Sequence, residues 1–134
     1  MKFFTNTLIP FAFAVAMSPT SVLSAELKVE PGADLFKQHC AQCHGADGRG
    51  DGEAVEFKNI EIPDLTTITK RNDGNFPLAD IVRTIDGRAE LERHGGGFMP
   101  AWGEVFSFDE DRGDAPAHVR ILNLVLYLNG IQED

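Results

Sequence analysis

Cysteine is scarce in this chain: Cys40 and Cys43 are the only two among 134 residues. A small secreted domain stapled by disulfides carries more cysteines at wider spacing, so a disulfide framework does not fit. A structural zinc site wants four ligands in two pairs, and there is no second pair. Basic residues are also few, 12 against 21 acidic, for a net charge of −9. That balance disfavours nucleic acid and anionic membrane surfaces as partners. A long apolar run is lacking too. Leu8 to Met17 spans ten residues, half the roughly 20 that a membrane-spanning helix needs. No alternating strand pattern of useful length, internal repeat or second domain is visible. What remains is one small all-α domain.

The N-terminus has the order of a secretory signal peptide: basic Lys2, the short apolar core, then Pro19 and small residues ending at Ser24-Ala25. The expected division is residues 1–25 as signal and 26–134 as the mature domain, with cleavage after Ala25 or, alternatively, after Ser24. Loss of Lys2 makes the mature chain one unit more negative. Such a protein favours a partner with a basic docking patch, although acidity also serves solubility alone.

Along the mature chain, Pro31-Gly32 opens a helix from Ala33 to about Gln42. Residues 45–61 read as a glycine-rich polar loop. Pro63-Asp64-Leu65-Thr66 reads as an ordered loop leading into a short helix. Leu78, Ile81, Val82 and Ile85 fall at i, i+3, i+4 and i+7, one face of a helix that Pro77 starts and Gly87 ends. Residues 88–114 read as irregular. Asp114 is a suitable N-cap for a last helix, with Pro116 in its first turn and Gly130 at its end. Ile121 to Leu128 is apolar except for Asn123, the pattern of a helix buried on most of its surface. Three to five helices joined by loops this long need a common surface to pack on.

Cys40-Ala41-Gln42-Cys43-His44 supplies a reason for that surface. Cys-x-x-Cys-His is the attachment signature of c-type haem. Two thiols must add to the two vinyl groups on one porphyrin edge, and positions i and i+3 of a helical turn point the same way. His44, at i+4 from Cys40, shares that face and can reach the iron. Its other ring nitrogen should donate to a carbonyl, for which Pro63 is the candidate. A thioredoxin-like redox pair lacks its strand-led context. A Cys40–Cys43 disulfide would staple almost nothing. One covalently bound haem c is the expected cofactor.

Gly32-Ala33-Asp34-Leu35-Phe36 ahead of Cys40-Ala41-Gln42-Cys43-His44-Gly45 resembles the first helix of class I c-type cytochromes, the bacterial monohaem cytochrome c family. In that family a glycine and an aromatic on this helix pack against the C-terminal helix. Gly32 and Phe36 match them, and Tyr127 resembles the aromatic on the partner helix. Pro63-Asp64-Leu65-Thr66 and Gly97-Phe98-Met99-Pro100-Ala101-Trp102-Gly103 are also similar to bacterial members. The resemblance covers residues 31–131 and implies the all-α cytochrome c fold around one haem.

Once Met1 and Met17 leave with the signal, Met99 is the last methionine. It lies 55 residues after His44, between three glycines and a proline, where an irregular loop can carry its sulfur to the iron. His44 and Met99 are therefore the expected metal ligands, a pair that raises the potential. His94 is the rival sixth ligand. His39 should point away from the haem, and His118 lies in the last helix. Arg88 and Trp102 are candidate donors to the haem propionates, although Arg88 also reads as a solvated surface arginine and Trp102 as packing on the haem. With both axial positions filled no substrate site remains, so the expectation is a periplasmic one-electron carrier between redox proteins, not an enzyme. Its exposed haem edge should lie near Cys40 and Cys43. Asp47, Asp51, Glu53 and Glu56, or Asp109-Glu110-Asp111, could steer a basic partner there. Alternatives are a dedicated cytochrome subunit of a periplasmic dehydrogenase and, further off, a haem enzyme or gas sensor.

Overall fold

A computed structural model describes residues 29–58, 61–88, 99–110 and 115–133. The expected signal peptide, His94, Asp114 and the glycines before Met99 lie outside the described residues. The described chain is helical, with no strand, as the expected all-α fold requires.

Four helices have eight residues or more: α1 (Gly32–His39), α5 (Leu78–Asp86), α6 (Trp102–Glu110) and α7 (Ala117–Gly130). Three are short: α2 (Ala41–His44), α3 (Glu53–Lys58) and α4 (Ile68–Arg71), the last entered through a 3-10 turn at Leu65–Thr67. That turn is capped by Asp64, whose Oδ1 accepts from the Thr66 N–H at 2.8 Å and the Thr66 hydroxyl at 2.6 Å.

The long helices assemble around α7. Leu35 and Phe36 of α1, Ile85 of α5 and Phe106 of α6 bury themselves against Ala117, Ile121, Leu124, Val125 and Leu128. α1 crosses α7 at Gly32, where a Cβ would stand 2.0 Å from the Asn123 carbonyl oxygen and 2.8 Å from the Tyr127 Cβ. Only glycine permits that approach. Beside the crossing, the Phe36 and Tyr127 rings pack with centroids 5.3 Å apart. The packing that the resemblance assigns to Gly32, Phe36 and Tyr127 is therefore present.

Charge is buried at the same junction. Arg120, 3 % exposed, pairs with Glu30 at 3.1 Å. Its guanidinium carbon also lies 4.0 Å from the Phe106 ring centre, a cation–π contact that helps offset lost hydration. Asn123 donates to the Glu30 carbonyl at 2.9 Å. At the far end of α7, Gln132 donates to the Leu65 carbonyl and accepts from the Thr69 N–H, tying the C-terminus to the 3-10 turn.

Five expectations need correction. The first helix does not run unbroken to Gln42: it stops at His39, Cys40 forms a turn, and α2 begins at Ala41. The loop 45–61 contains α3. The stretch 88–114 contains α6, whose Gly103, Val105 and aromatic residues are weak helix formers that masked it. Pro116 precedes α7 and does not sit in its first turn. The last helix also buries one face and not most of its surface, since Leu122 and Leu126 are exposed.

Candidate haem site

The attachment motif folds as one tight helical unit. The Cys40 N–H donates to the Phe36 carbonyl at 2.8 Å, closing α1. The Cys40 carbonyl accepts from the Cys43 N–H at 3.1 Å and the His44 N–H at 2.9 Å. Cys40, Cys43 and His44 thus occupy successive corners of one turn, as attachment at i, i+3 and ligation at i+4 demand. Gly45, at a positive φ that favours glycine, then turns the chain away.

Both cysteines are half-buried and not joined to each other by a disulfide. Burial, with Cys43 adding in the same direction, pushes the Cys40 thiol up to about 12. A dithiol redox motif needs the opposite shift, toward thiolate. Cys40 and Ala41 pack on the core together with the half-buried Leu65, Phe76, Ile81, Val82, Met99 and Trp102. This partly exposed apolar set, with Cys40 among it, is the kind of surface that a porphyrin would cover.

The other anticipated residues fall as follows. The Nδ1 of His44 is enclosed by protein, and the His44 carbonyl accepts from the Gly50 N–H at 2.8 Å. Gly50 lies against the backbone of Ile62 and Pro63, so Pro63 is brought within one residue of the His44 backbone. Met99 is half-buried against the same core as Cys40. Trp102 packs on Phe106 and His39, with centroids 5.4 Å and 5.2 Å away. Arg88 is three-quarters exposed, and its Nε pairs with the Asp86 carboxylate, the arrangement of a surface arginine. His118 is exposed. Two features went unread in the sequence. His39 packs inward on α6, and Gly103 sits so close to Asp86 that a Cβ would stand 2.9 Å from its carbonyl oxygen. Both depend on contacts between distant segments, and no local pattern signals them.

The description "Cytochrome c" of a family model matches residues 29–120. The chain belongs to the cytochrome c family, as a class I c-type cytochrome with covalently bound haem c and the role of a monohaem electron carrier. Among individual proteins it is similar to cytochrome c6 of Bryopsis maxima, 33% identical over 85 residues that span 63% of this chain and 82% of that protein. No solved structure matches.

Proposed function

We propose that the chain is a periplasmic one-electron shuttle whose haem is held by Cys40 and Cys43 and ligated by His44 and Met99. The observation that carries this reading is the half-burial of Met99 against the same core as Cys40. The haem supplies the Fe(III)/Fe(II) couple. The protein's share is to hold two strong ligands through both oxidation states, so that little reorganises on transfer. His44 presents one imidazole nitrogen while its enclosed Nδ1 is oriented from behind, with the Pro63 carbonyl as acceptor. The Met99 thioether favours the ferrous state and raises the potential. Trp102 would pack on the haem near this ligand, and the Trp102 indole and the Arg88 guanidinium would be the candidate donors to the propionates.

Secretion follows from residues 1–25 acting as a signal cleaved after Ala25. No helix among the described residues is long and apolar enough to cross a membrane. Asp47, Asp51 and Glu53 are exposed just after the attachment motif. They offer a redox partner an acidic surface beside the cysteine edge of the haem, complementary to a basic docking patch.

The test is the spectrum of the ferric holoprotein. A sulfur-to-iron charge-transfer band is expected, and Met99→Ala should abolish it while leaving the haem covalently attached. An unchanged spectrum moves the sixth ligand to His94. Ready binding of carbon monoxide by the reduced wild-type protein would refute the carrier reading.

A further inference from the structure

Met99 and Cys40, the residues proposed to ligate and to attach the haem, are 59 residues apart in sequence and pack on the same core, and ring contacts of His39 join the segments that carry them. His39 immediately precedes Cys40 and ends α1. Trp102 is three residues beyond Met99 and begins α6. The His39 ring meets Trp102 edge-on, with centroids 5.2 Å apart at 60°, and meets Phe106 at 5.3 Å and 71°. Trp102 and Phe106 are themselves in contact one helical turn apart, and Phe106 is fully buried beneath Arg120. The His39 Nε2 is enclosed by protein.

The start of α6 is pinned from its other side as well. Gly103 lies against Asp86, and Ala101 lies against Gly87, closer than a Cβ at either glycine would allow. Two residues, Pro100 and Ala101, separate Met99 from this clamped point. A thioether delivered by so short a tether inherits the rigidity of its anchor.

We propose that His39 is a positioning residue for the Met99 side of the site. Its ring clamps Trp102, and through Trp102 it holds the Met99 segment closed over the iron. The inference rests on Met99 ligation. It goes beyond that reading by giving His39 a role in how firmly the ligand is held.

The consequence is a population shift. A foreign ligand reaches the ferric iron only while the Met99 segment is open, so its apparent affinity scales with the open fraction. An aromatic edge contact is worth enough to change that fraction by about two- to tenfold. The probe is imidazole, titrated into ferric holoprotein and read by the shift of the main haem absorption band, with loss of the sulfur-to-iron band as a second signal where that band is present. His39→Ala should tighten imidazole binding by about two- to tenfold. Trp102→Ala should do likewise, and the double variant should show little more than either alone. His39→Phe, which keeps a ring edge, should return to within about twofold of wild type. His39→Leu replaces His39→Ala if the alanine variant fails to mature. Wild-type imidazole affinity in the His39 variant, with only a lowered unfolding temperature, overturns the proposal. So does an additive double variant, or failure of phenylalanine to restore the wild-type value. Failure of the underlying ligand assignment looks different: wild-type protein itself lacks the band, or Met99→Ala leaves imidazole binding unchanged.

Discussion

Gly32→Ala should damage this protein far more than the addition of one methyl group suggests. The new Cβ would lie 2.0 Å from the Asn123 carbonyl oxygen, 2.7 Å from its carbon and 2.8 Å from the Tyr127 Cβ. The nearest obstacles are backbone atoms, so no rotamer change relieves them. α1 and α7 must separate by about an ångström or more to reach ordinary contact. Overpacking of this kind costs about 1–3 kcal/mol. Separation also loosens the Phe36–Tyr127 ring pair, worth about 0.5–1.5 kcal/mol. It stretches the Asn123 to Glu30 hydrogen bond, worth about 1 kcal/mol. Alanine returns up to about 1 kcal/mol in helix propensity. The net loss is about 2–4 kcal/mol, or about 8–16 °C in melting temperature at about 4 °C per kcal/mol. Urea unfolding of the ferric holoprotein measures it, with recovery of Trp102 fluorescence from haem quenching as the signal. Gly130→Ala is the control, because a Cβ there meets nothing within 4 Å; it should be neutral or slightly stabilising. A Gly32→Ala protein within about 0.5 kcal/mol of wild type would refute the close crossing.

The two faces of α7 make a paired test. Leu124 is 1 % exposed, so Leu124→Ala should cost about 2–5 kcal/mol, whereas Leu122→Ala on the exposed face should stay within about 0.5 kcal/mol by chemical denaturation. Asp64 gives a pH signature. Hydrogen bonds from the Thr66 side chain and backbone hold its carboxyl below the usual carboxylate range. Its folded pKa is depressed, so its stabilisation is present above the unfolded value of about 3.9 and is lost as pH falls through the lower folded value. Thermal melts of Asp64→Ala should therefore fall below wild type at neutral pH and converge with it as the solution is acidified.

Some of this architecture was written locally and could be read. α5 repeats its apolar residues at helical spacing because Ile81, Val82 and Ile85 face the core, with Leu78 exposed at its start, and Gly87 takes the left-handed conformation that ends it. Pro63-Asp64-Leu65-Thr66 reads as an ordered loop entering a short helix because the Asp64 hydrogen bonds that shape it span only two residues. α6 could not be read. Its Val105 and Phe108 are exposed while Trp102 and Phe106 face inward, so hydrophobicity does not follow the helix face. Gly103 weakens the helical pattern further, and it is required by the close approach of Asp86. Arg120 was equally silent, because a buried arginine needs its partner to be recognised, and Glu30 is 90 residues away.

The two halves of the site differ in legibility for a chemical reason. Two thioethers and an imidazole must reach one side and one edge of a rigid ring, and only a single helical turn places three such groups together. Cys40, Cys43 and His44 are therefore contiguous. The opposite axial position asks for one sulfur. Any segment able to reach the iron can deliver it, so spacing carries little information there, and Met99 stood out because it is the last methionine after the signal. Reaching the iron is not the same as being held there. In the site proposed here the holding would fall to contacts that only the folded chain creates, Trp102 against His39 and Gly103 against Asp86.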